Sequence, residues 1–272
     1  MKVGFQGEHG AYSEMAVKKA FPKAEAVPCA SFYDAFGALE NGEVEALLMP
    51  VENSTEGSVT PVYDLLAKTK FNAFKEVFLR IEHCLITNPK NRIEDIKDVY
   101  SHPQALGQCR EFLKKSKYRE IAYYDTAGAV KMIMESGRKD AAAIASEAAA
   151  GYYGMKIIEK NIEDNPNNIT RFLALGKDMK TEFKKENRYK TSIIFSIKHE
   201  PGTLFRIVKA FAERNINMTK IESRPTKKTA WEYLFFVDFE GHCEDKNIVE
   251  ALEEIEKNSF FVNVVGSYPW GE

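Results

Sequence analysis

Short apolar runs, each closed by a polar cluster and followed by a stretch of helical spacing, alternate from the first residues through Gly176. This alternation confines the chain to a doubly wound α/β fold. Val3-Gly4-Phe5 opens the series, followed by the turn Gly7 to Ser13 and a helical pattern through Met15, Ala16, Val17 and Ala20. Ala24 to Cys29 forms a second strand. Ser31 then caps a helix whose stripe of Phe32, Ala35, Phe36 and Leu39 ends at Asn41-Gly42. Val44 to Pro50 is a buried strand delivering the cluster Val51 to Ser58, after which a helix runs around Val62, Leu65 and Leu66.

Phe74 to Thr87 keeps strand spacing with no turn signal before Asn88-Pro89, and reads as one long strand crossing into a second lobe. That lobe repeats the alternation: a strand at Val99 to Ser101, a helix from Pro103 to Lys115 and a strand at Ile121 to Tyr123. A helix from Thr126 to Glu135, a strand at Ala141 to Ala145, a small-residue helix and a strand at Lys156 to Glu159 follow. The polar turn Asn165 to Asn168 then opens onto Ile169-Thr170-Arg171-Phe172 and the buried strand Leu173 to Gly176. Lys177 to Lys190 is charged and reads as a linker. The remainder is β-α-β-β-α-β: Thr191 to Lys198, a helix from Gly202 to Arg214, Asn217 to Ser223, Trp231 to Phe239, a helix from Asn247 to Glu256, and Phe260 to Val265. This ferredoxin-like sheet needs cover on both faces, which a second copy supplies most economically.

Several function classes are excluded on composition. Lys and Arg number 38 against 40 Asp and Glu, for a formal charge of -2 without a single-sign block, so neither nucleic acid nor an anionic membrane is an expected partner. Met1 to Phe5 begins a strand without a secretory leader pattern. Cys29, Cys84, Cys109 and Cys243 are scattered, as expected of reduced thiols in a cytoplasmic protein. The five histidines do not pair at ligand spacing, so no metal is expected. Gly4, Gly7 and Gly10 are spaced by threes, which misses the G-x-G-x-x-G of a dinucleotide site.

The candidate chemistry gathers at strand ends. The Gly7 to Ser13 turn feeds a helix start, where exposed amides and a positive dipole end suit a carboxylate or phosphate. Ser101 closes a strand, and Gln104 and Gln108 share one helix face beyond Pro103. His102 reads as a capping residue ahead of a general base, and Glu52 as a loop hydrogen-bonder ahead of a general acid. Thr170 and Arg171 stand at the mouth of a strand, where open α/β sheets place ligands.

Four separated motifs occur in the order of one family: Gln6-Gly7-Glu8-His9-Gly10-Ala11-Tyr12-Ser13, Pro50-Val51-Glu52-Asn53-Ser54, Ser101-His102-Pro103-Gln104-Ala105-Leu106 with Gln108-Cys109, and Asn168-Ile169-Thr170-Arg171-Phe172. Over nearly its whole length the chain resembles a prephenate dehydratase with a C-terminal ACT regulatory domain. The resemblance implies an α/β, bilobed, periplasmic-binding-protein-like (type II) catalytic domain over residues 1–178. Lobe 1 would span about 1–80 and 160–178 and lobe 2 about 81–159, with a ferredoxin-like βαββαβ ACT domain over 190–272. It implies conversion of prephenate to phenylpyruvate without a cofactor, Thr170 as the central catalytic residue, and Asn53, Ser101 and Gln108 beside it. Arg171, Phe172, Gly10, Ala11, Tyr12 and Ser54 would bind substrate. Arg171, with the Gly7 to Ser13 turn, is expected to grip the pyruvyl carboxylate, and Phe172 to keep the ring carboxylate in apolar surroundings.

In the tail, Glu222-Ser223-Arg224-Pro225 matches the family's effector motif, and Gly202-Thr203-Leu204-Phe205 keeps part of a companion motif in which Thr203 and Phe205 replace smaller residues. Gly202, Thr203, Leu204, Asn217, Met218, Glu222, Ser223, Arg224 and Pro225 are expected to bind phenylalanine between paired ACT domains, in a homodimer that a homotetramer extends. Asp125-Thr126-Ala127 departs from the Ser-Thr-Ala usual at that place. The alternatives are an arogenate dehydratase and, from another class, a non-catalytic amino-acid-binding sensor.

Overall fold

The computed structural model describes residues 1–197, 200–225 and 233–271. The first alternation folds as its spacing predicts, into β1 (Lys2–Gln6), α1 (Tyr12–Ala20), β2 (Glu25–Cys29), α2 (Phe32–Asn41), β3 (Ala46–Asn53), the two-residue β4 (Gly57–Ser58) and α3 (Thr60–Leu66). Local chemistry sets the limits of α2: the Ser31 hydroxyl accepts the Asp34 amide at its start, and Gly42, at φ 76°, takes the left-handed conformation that ends it.

The expected long strand from Phe74 to Thr87 is two strands, β5 (Asn72–Arg80) and β6 (Cys84–Thr87), which lie in different sheets. No glycine or proline marks the break. Between them, the Ile81 amide donates to the Asn168 carbonyl at 2.8 Å and the His83 amide to the Glu163 carboxylate at 2.8 Å, so the backbone is satisfied off the ladder. β7 (Asp98–Ser101) follows. The expected helix from Pro103 to Lys115 is also divided, into α4 (Pro103–Gln108) and α5 (Arg110–Ser116), at the fully buried Cys109. β8 (Arg119–Ala122), α6 (Thr126–Ser136), β9 (Ala141–Ala145), α7 (Glu147–Tyr152), β10 (Lys156–Lys160) and β11 (Ile169–Gly176) complete this part. The tail is β12 (Tyr189–Ile197), α8 (Thr203–Ala212), β13 (Met218–Pro225), β14 (Tyr233–Glu240), α9 (Lys246–Lys257) and β15 (Ser259–Pro269). The expected strand limits at Lys198 and Trp231 lie outside the described residues.

Three sheets result, with strand orders β2-β1-β3-β11-β5 (β4 beside β3), β10-β6-β9-β7-β8 and β13-β14-β12-β15. In the first two, β1 runs parallel to β2 and β3, and β7 parallel to β8 and β9, so each sheet sends its parallel carboxyl ends to one edge. This is the bilobed, doubly wound plan, and ligands gather outside such edges. The third sheet is antiparallel. It packs Ile193, Phe195, Val237 and Phe239 against Ile207, Phe211, Ile248 and Ile255 of its two helices, the ferredoxin-like arrangement.

The chain divides into two compact units, Met1–Val62 with Val77–Phe172, and Tyr63–Glu76 with Leu173–Glu272. Within the second, the charged stretch after Gly176 is fastened in place of hanging free: the Lys177 carbonyl accepts from Asn72, Thr181 donates to the Phe74 carbonyl, and Phe183 stacks on His242. The same unit buries an ion pair, Lys190 Nζ to Glu76 Oε1 at 2.6 Å, with the Gly271 amide on the other carboxylate oxygen. Removing one member of a buried pair leaves its partner's charge without compensation. Glu76→Leu is therefore expected to cost about 3–5 kcal/mol in denaturant unfolding, and the double variant with Lys190→Met markedly less; equal losses in the two would mean that the Lys190 charge left behind adds nothing to the cost.

Candidate active site

The parallel strand ends of both sheets face one cleft of ≈ 470 Å³. Five helix starts reach its wall: Ala11, Tyr12 and Ser13 of α1, Ser31 and Phe32 of α2, Pro61 of α3, His102 and Gln104 of α4, and Asp125 and Thr126 of α6. Asn53, from the end of β3, and Thr170 and Phe172, from β11, add to it with His83 and Gln108. Helix N-termini present amides and positive dipole ends that favour anions; among the described residues no Lys or Arg lines the wall, and Asp125 is its one acidic side chain. The caps differ in a way that matters. Ser31 accepts the Asp34 amide, His102 the Gln104 amide and Asp125 the Gly128 amide, whereas α1 begins at Ala11 with no side-chain cap.

Thr170 sits in a hydrogen-bond network whose directions can be derived. Asn53 Oδ1 accepts the backbone amides of Thr55 at 3.0 Å and Glu56 at 3.1 Å, and backbone groups admit no ambiguity of donor and acceptor. Asn53 Nδ2 must then donate, to Thr170 Oγ1 at 2.9 Å and Asn168 Oδ1 at 2.7 Å. Asn168 Nδ2 consequently donates to Gln108 Oε1 at 2.9 Å, while Gln108 Nε2 donates to Thr55 Oγ1 at 3.2 Å. Because Gln108 Oε1 accepts, His83 Nε2, 2.9 Å away, carries the imidazole proton. The one hydrogen of the Tyr12 hydroxyl is shared between two acceptors, the Glu82 carbonyl and the unprotonated His83 Nδ1, each at 2.8 Å. Burial pushes the His83 pKa down, against the opposing pull of Gln108 and Glu163, in keeping with a neutral ring. The outcome for Thr170 is specific: its oxygen accepts from Asn53, and its one hydrogen is left to donate into the cleft.

Three of the four expected catalytic residues, Thr170, Asn53 and Gln108, are thus brought together. Ser101 is not with them. It is fully buried and donates to the Ile144 carbonyl at 2.6 Å, which ties β7 to β9. Arg171 is a further correction. Successive strand residues point to opposite faces, so β11 turns Thr170 and Phe172 into the cleft and Arg171 away, its guanidinium 3.5 Å from the Glu52 carboxylate. It therefore lies off the wall where it was expected to grip a carboxylate. Ala11 and Tyr12 line the cleft as expected, but Gly10 and Ser54 act behind it. The Gly10 amide donates to the Glu14 carboxylate and its carbonyl accepts from Ser146, while its φ of 85° and the 2.5 Å approach of Ala149 Cα to any added Cβ demand glycine. The Ser54 hydroxyl bonds the Asn167 carbonyl and the Ile169 amide, bracing the turn before Thr170. His83 was not foreseen, because an apolar run with no turn signal gives no reason to single out its one imidazole.

Residues 3–180 match the family described as prephenate dehydratase, and residues 191–257 match the ACT domain. The chain belongs to the prephenate dehydratase family. It is 45% identical, over 99% of its length and 73% of the relative's, to an arogenate dehydratase/prephenate dehydratase 2 (chloroplastic) of Arabidopsis thaliana. It is 43% identical to a prephenate dehydratase of Methanocaldococcus jannaschii, over 96% of this chain and 95% of that one. The crystal structure of a prephenate dehydratase in complex with L-Phe from Arthrobacter aurescens matches with a TM-score of 0.91 at 28% identity, covering 98% of this chain and 90% of that one. Among the described residues no helix is long and apolar enough to cross a membrane, and no group of three or more His, Cys, Asp or Glu could hold a metal.

The nine effector residues expected of the ACT domain do not meet within one chain. Ser196 and Arg224 both register with Leu234, so the start of α8 that follows β12, Gly202 to Leu204, and Glu222 to Pro225 on β13 share one end of the sheet. Met218 registers with Phe239 at the other end, beside Asn217, whose amide donates to Glu240. Those ends are about 20 Å apart at a strand's rise per residue, too far for one phenylalanine.

A sharper test falls on His83 than on any other wall residue. In the folded chain burial holds it neutral, whereas the unfolded chain takes up a proton as pH falls through the ordinary histidine range. The stability tied to this group is therefore complete above that range and lost as pH drops toward the depressed folded value. His83→Ala should lower kcat for prephenate about tenfold through the loosened Gln108, and should flatten the acid decline of Tm between about pH 7 and 5. Unchanged kcat in a folded variant would remove His83 from the network's function.

Proposed function

We propose that the chain catalyses the decarboxylating dehydration of prephenate to phenylpyruvate. The observation that carries this reading is the Thr170 hydroxyl, its oxygen held by Asn53 and its hydrogen left for a cleft that is walled by helix starts and, among the described residues, lined by no Lys or Arg. In the reaction the bond between the ring and its carboxylate breaks to release CO2, and its electron pair completes the aromatic ring. The ring hydroxyl is expelled and takes up one proton from solvent to leave as water. Thr170 donates to the departing oxygen as negative charge grows there, and Asn53 stabilises the threonine oxygen in turn. The uncapped amides at the start of α1 meet the pyruvyl carboxylate, the part first expected of Arg171. The ring carboxylate is left beside Phe172 without a counter-charge, so its ground state is not stabilised against loss of CO2. A non-catalytic sensor would bind the same ligand and would have no use for a directed hydroxyl.

Purified protein incubated with prephenate is expected to form phenylpyruvate, followed by ultraviolet absorbance; absence of product would leave the sensor reading. Thr170→Ala should lower kcat about 10²–10³-fold with KM moved only a few-fold, the pattern of a group used mainly in the transition state.

We infer further that phenylalanine inhibits through the ACT domain, and that the working form is a homodimer paired there, with a tetramer as its extension. β13 is an edge strand with Ile221 exposed, and Leu204, Phe205 and Val208 of α8 are exposed as well. Antiparallel pairing of two such edges would set the start of β13 in one copy beside its end in the other, which supports an effector site built from both. Leu204→Asp, at an exposed position, is expected to abolish inhibition by phenylalanine while the uninhibited kcat is kept. Inhibition persisting at the same concentration would remove the start of α8 from the effector site. A cytoplasmic setting is supported by four free cysteines, of which Cys29, Cys84 and Cys109 are buried.

A further inference from the structure

The cleft wall carries one formally charged side chain among its described residues, Asp125. His102 caps α4 by accepting the Gln104 amide through Nδ1, so that nitrogen bears no proton, and His83 is held neutral by the network described above. A lone carboxylate is a liability in a site built for a dianion unless the substrate brings a positive charge to it.

The position of Asp125 specifies where that charge would sit. Its Oδ1 is engaged by the Gly128 amide at 2.8 Å. Its Oδ2 lies over Gly7: a Cβ built on that glycine would be 3.3 Å from Asp125 Oδ2 and 3.1 Å from the Ala11 Cβ. The second carboxylate oxygen therefore stands next to the uncapped start of α1, whose Ala11, Tyr12 and Ser13 line the same cleft. An acceptor of full negative charge and a set of amide donors are adjacent, as an α-amino acid requires, because its ammonium and carboxylate share one carbon. An α-keto acid offers a carbonyl oxygen at the place of the ammonium, and that oxygen would face Asp125 acceptor to acceptor. Burial also raises the Asp125 pKa, against the amides of Gly128 and Ala127 that lower it, so an arriving ammonium would find a carboxylate poorly compensated by its surroundings.

We propose that Asp125 is the specificity-determining residue at the side-chain end of the cleft, and that through it the site takes the ammonium-bearing substrate, arogenate, ahead of prephenate. The proposal rests on the dehydratase reading above. The balance of the reaction is unchanged: CO2 leaves, the hydroxyl departs as water with one proton from solvent, and the product is phenylalanine in place of phenylpyruvate.

The test compares kcat/KM for arogenate and prephenate in the full chain and in Asp125→Asn and Asp125→Ser, both of which keep a capping oxygen for α6 and discard the charge. The unaltered chain is expected to favour arogenate, and both variants should shift the ratio about ten- to hundredfold toward prephenate, the loss of a charge-assisted hydrogen bond. A structural role for Asp125 would depress both substrates alike, so a ratio that stays put in folded variants overturns the proposal. A preference for prephenate in the unaltered chain overturns it as well. Turnover of neither substrate would instead overturn the dehydratase reading on which it stands.

Discussion

Two backbone amides decide the polarity of the whole site. The Thr55 and Glu56 N–H groups both point at Asn53 Oδ1, and a carboxamide with its oxygen so occupied can only donate from its other end. From that constraint follow the orientations of Asn168 and Gln108, the tautomer of His83 and the free hydrogen of Thr170. A buried network of this kind is stable only when each member is satisfied, since an unpaired buried polar group costs about 1–3 kcal/mol. Asn53 and Asn168 are both buried, so exchanging donor and acceptor at either would strand several groups at once. The site is therefore rigid in direction as well as in position.

Handling anions without a lining cation is a consistent choice for the proposed chemistry. A lysine or arginine beside the ring carboxylate would hold the reactant and slow its loss, whereas helix starts spread weaker positive potential over the wall. It also makes the cleft sensitive to any single charge placed in it, because among the described residues no Lys or Arg lines the wall to mask that charge. The carboxylate of Glu14, close behind the wall, illustrates the opposite case: it is held below its ordinary range despite burial, by the Gly10 amide and by Lys18.

Much of this was legible in the sequence because it is local. The Ser31 cap, the Gly42 stop, the helix face shared by Gln104 and Gln108 and the βαββαβ tail each follow from spacing or a single turn residue. What the sequence does not reveal depends on direction and on distant partners. Thr170 and Arg171 are neighbours in sequence but face opposite ways on β11, and only strand register decides which of them enters the cleft. Ser101 looks identical to a catalytic serine until Ile144 is seen to accept its proton. The break at His83 left no mark because the Asn168 carbonyl and the Glu163 carboxylate, far along the chain, supply the bonds that a turn residue would otherwise make necessary.

The regulatory tail shows the same limit at a larger scale. One strand end carries Glu222 to Pro225 and the other Asn217 and Met218, and the rigid register of β13 against β14 prevents one chain from closing the distance. If these residues share one ligand, a second copy must bring the missing half. Binding and association are then linked by thermodynamic necessity: an effector that touches both copies strengthens their pairing by the same free energy with which pairing strengthens its binding. Under that linkage an apparent affinity for phenylalanine depends on protein concentration until the pair is saturated, and the response to effector is a property of the assembly, which no single chain carries alone.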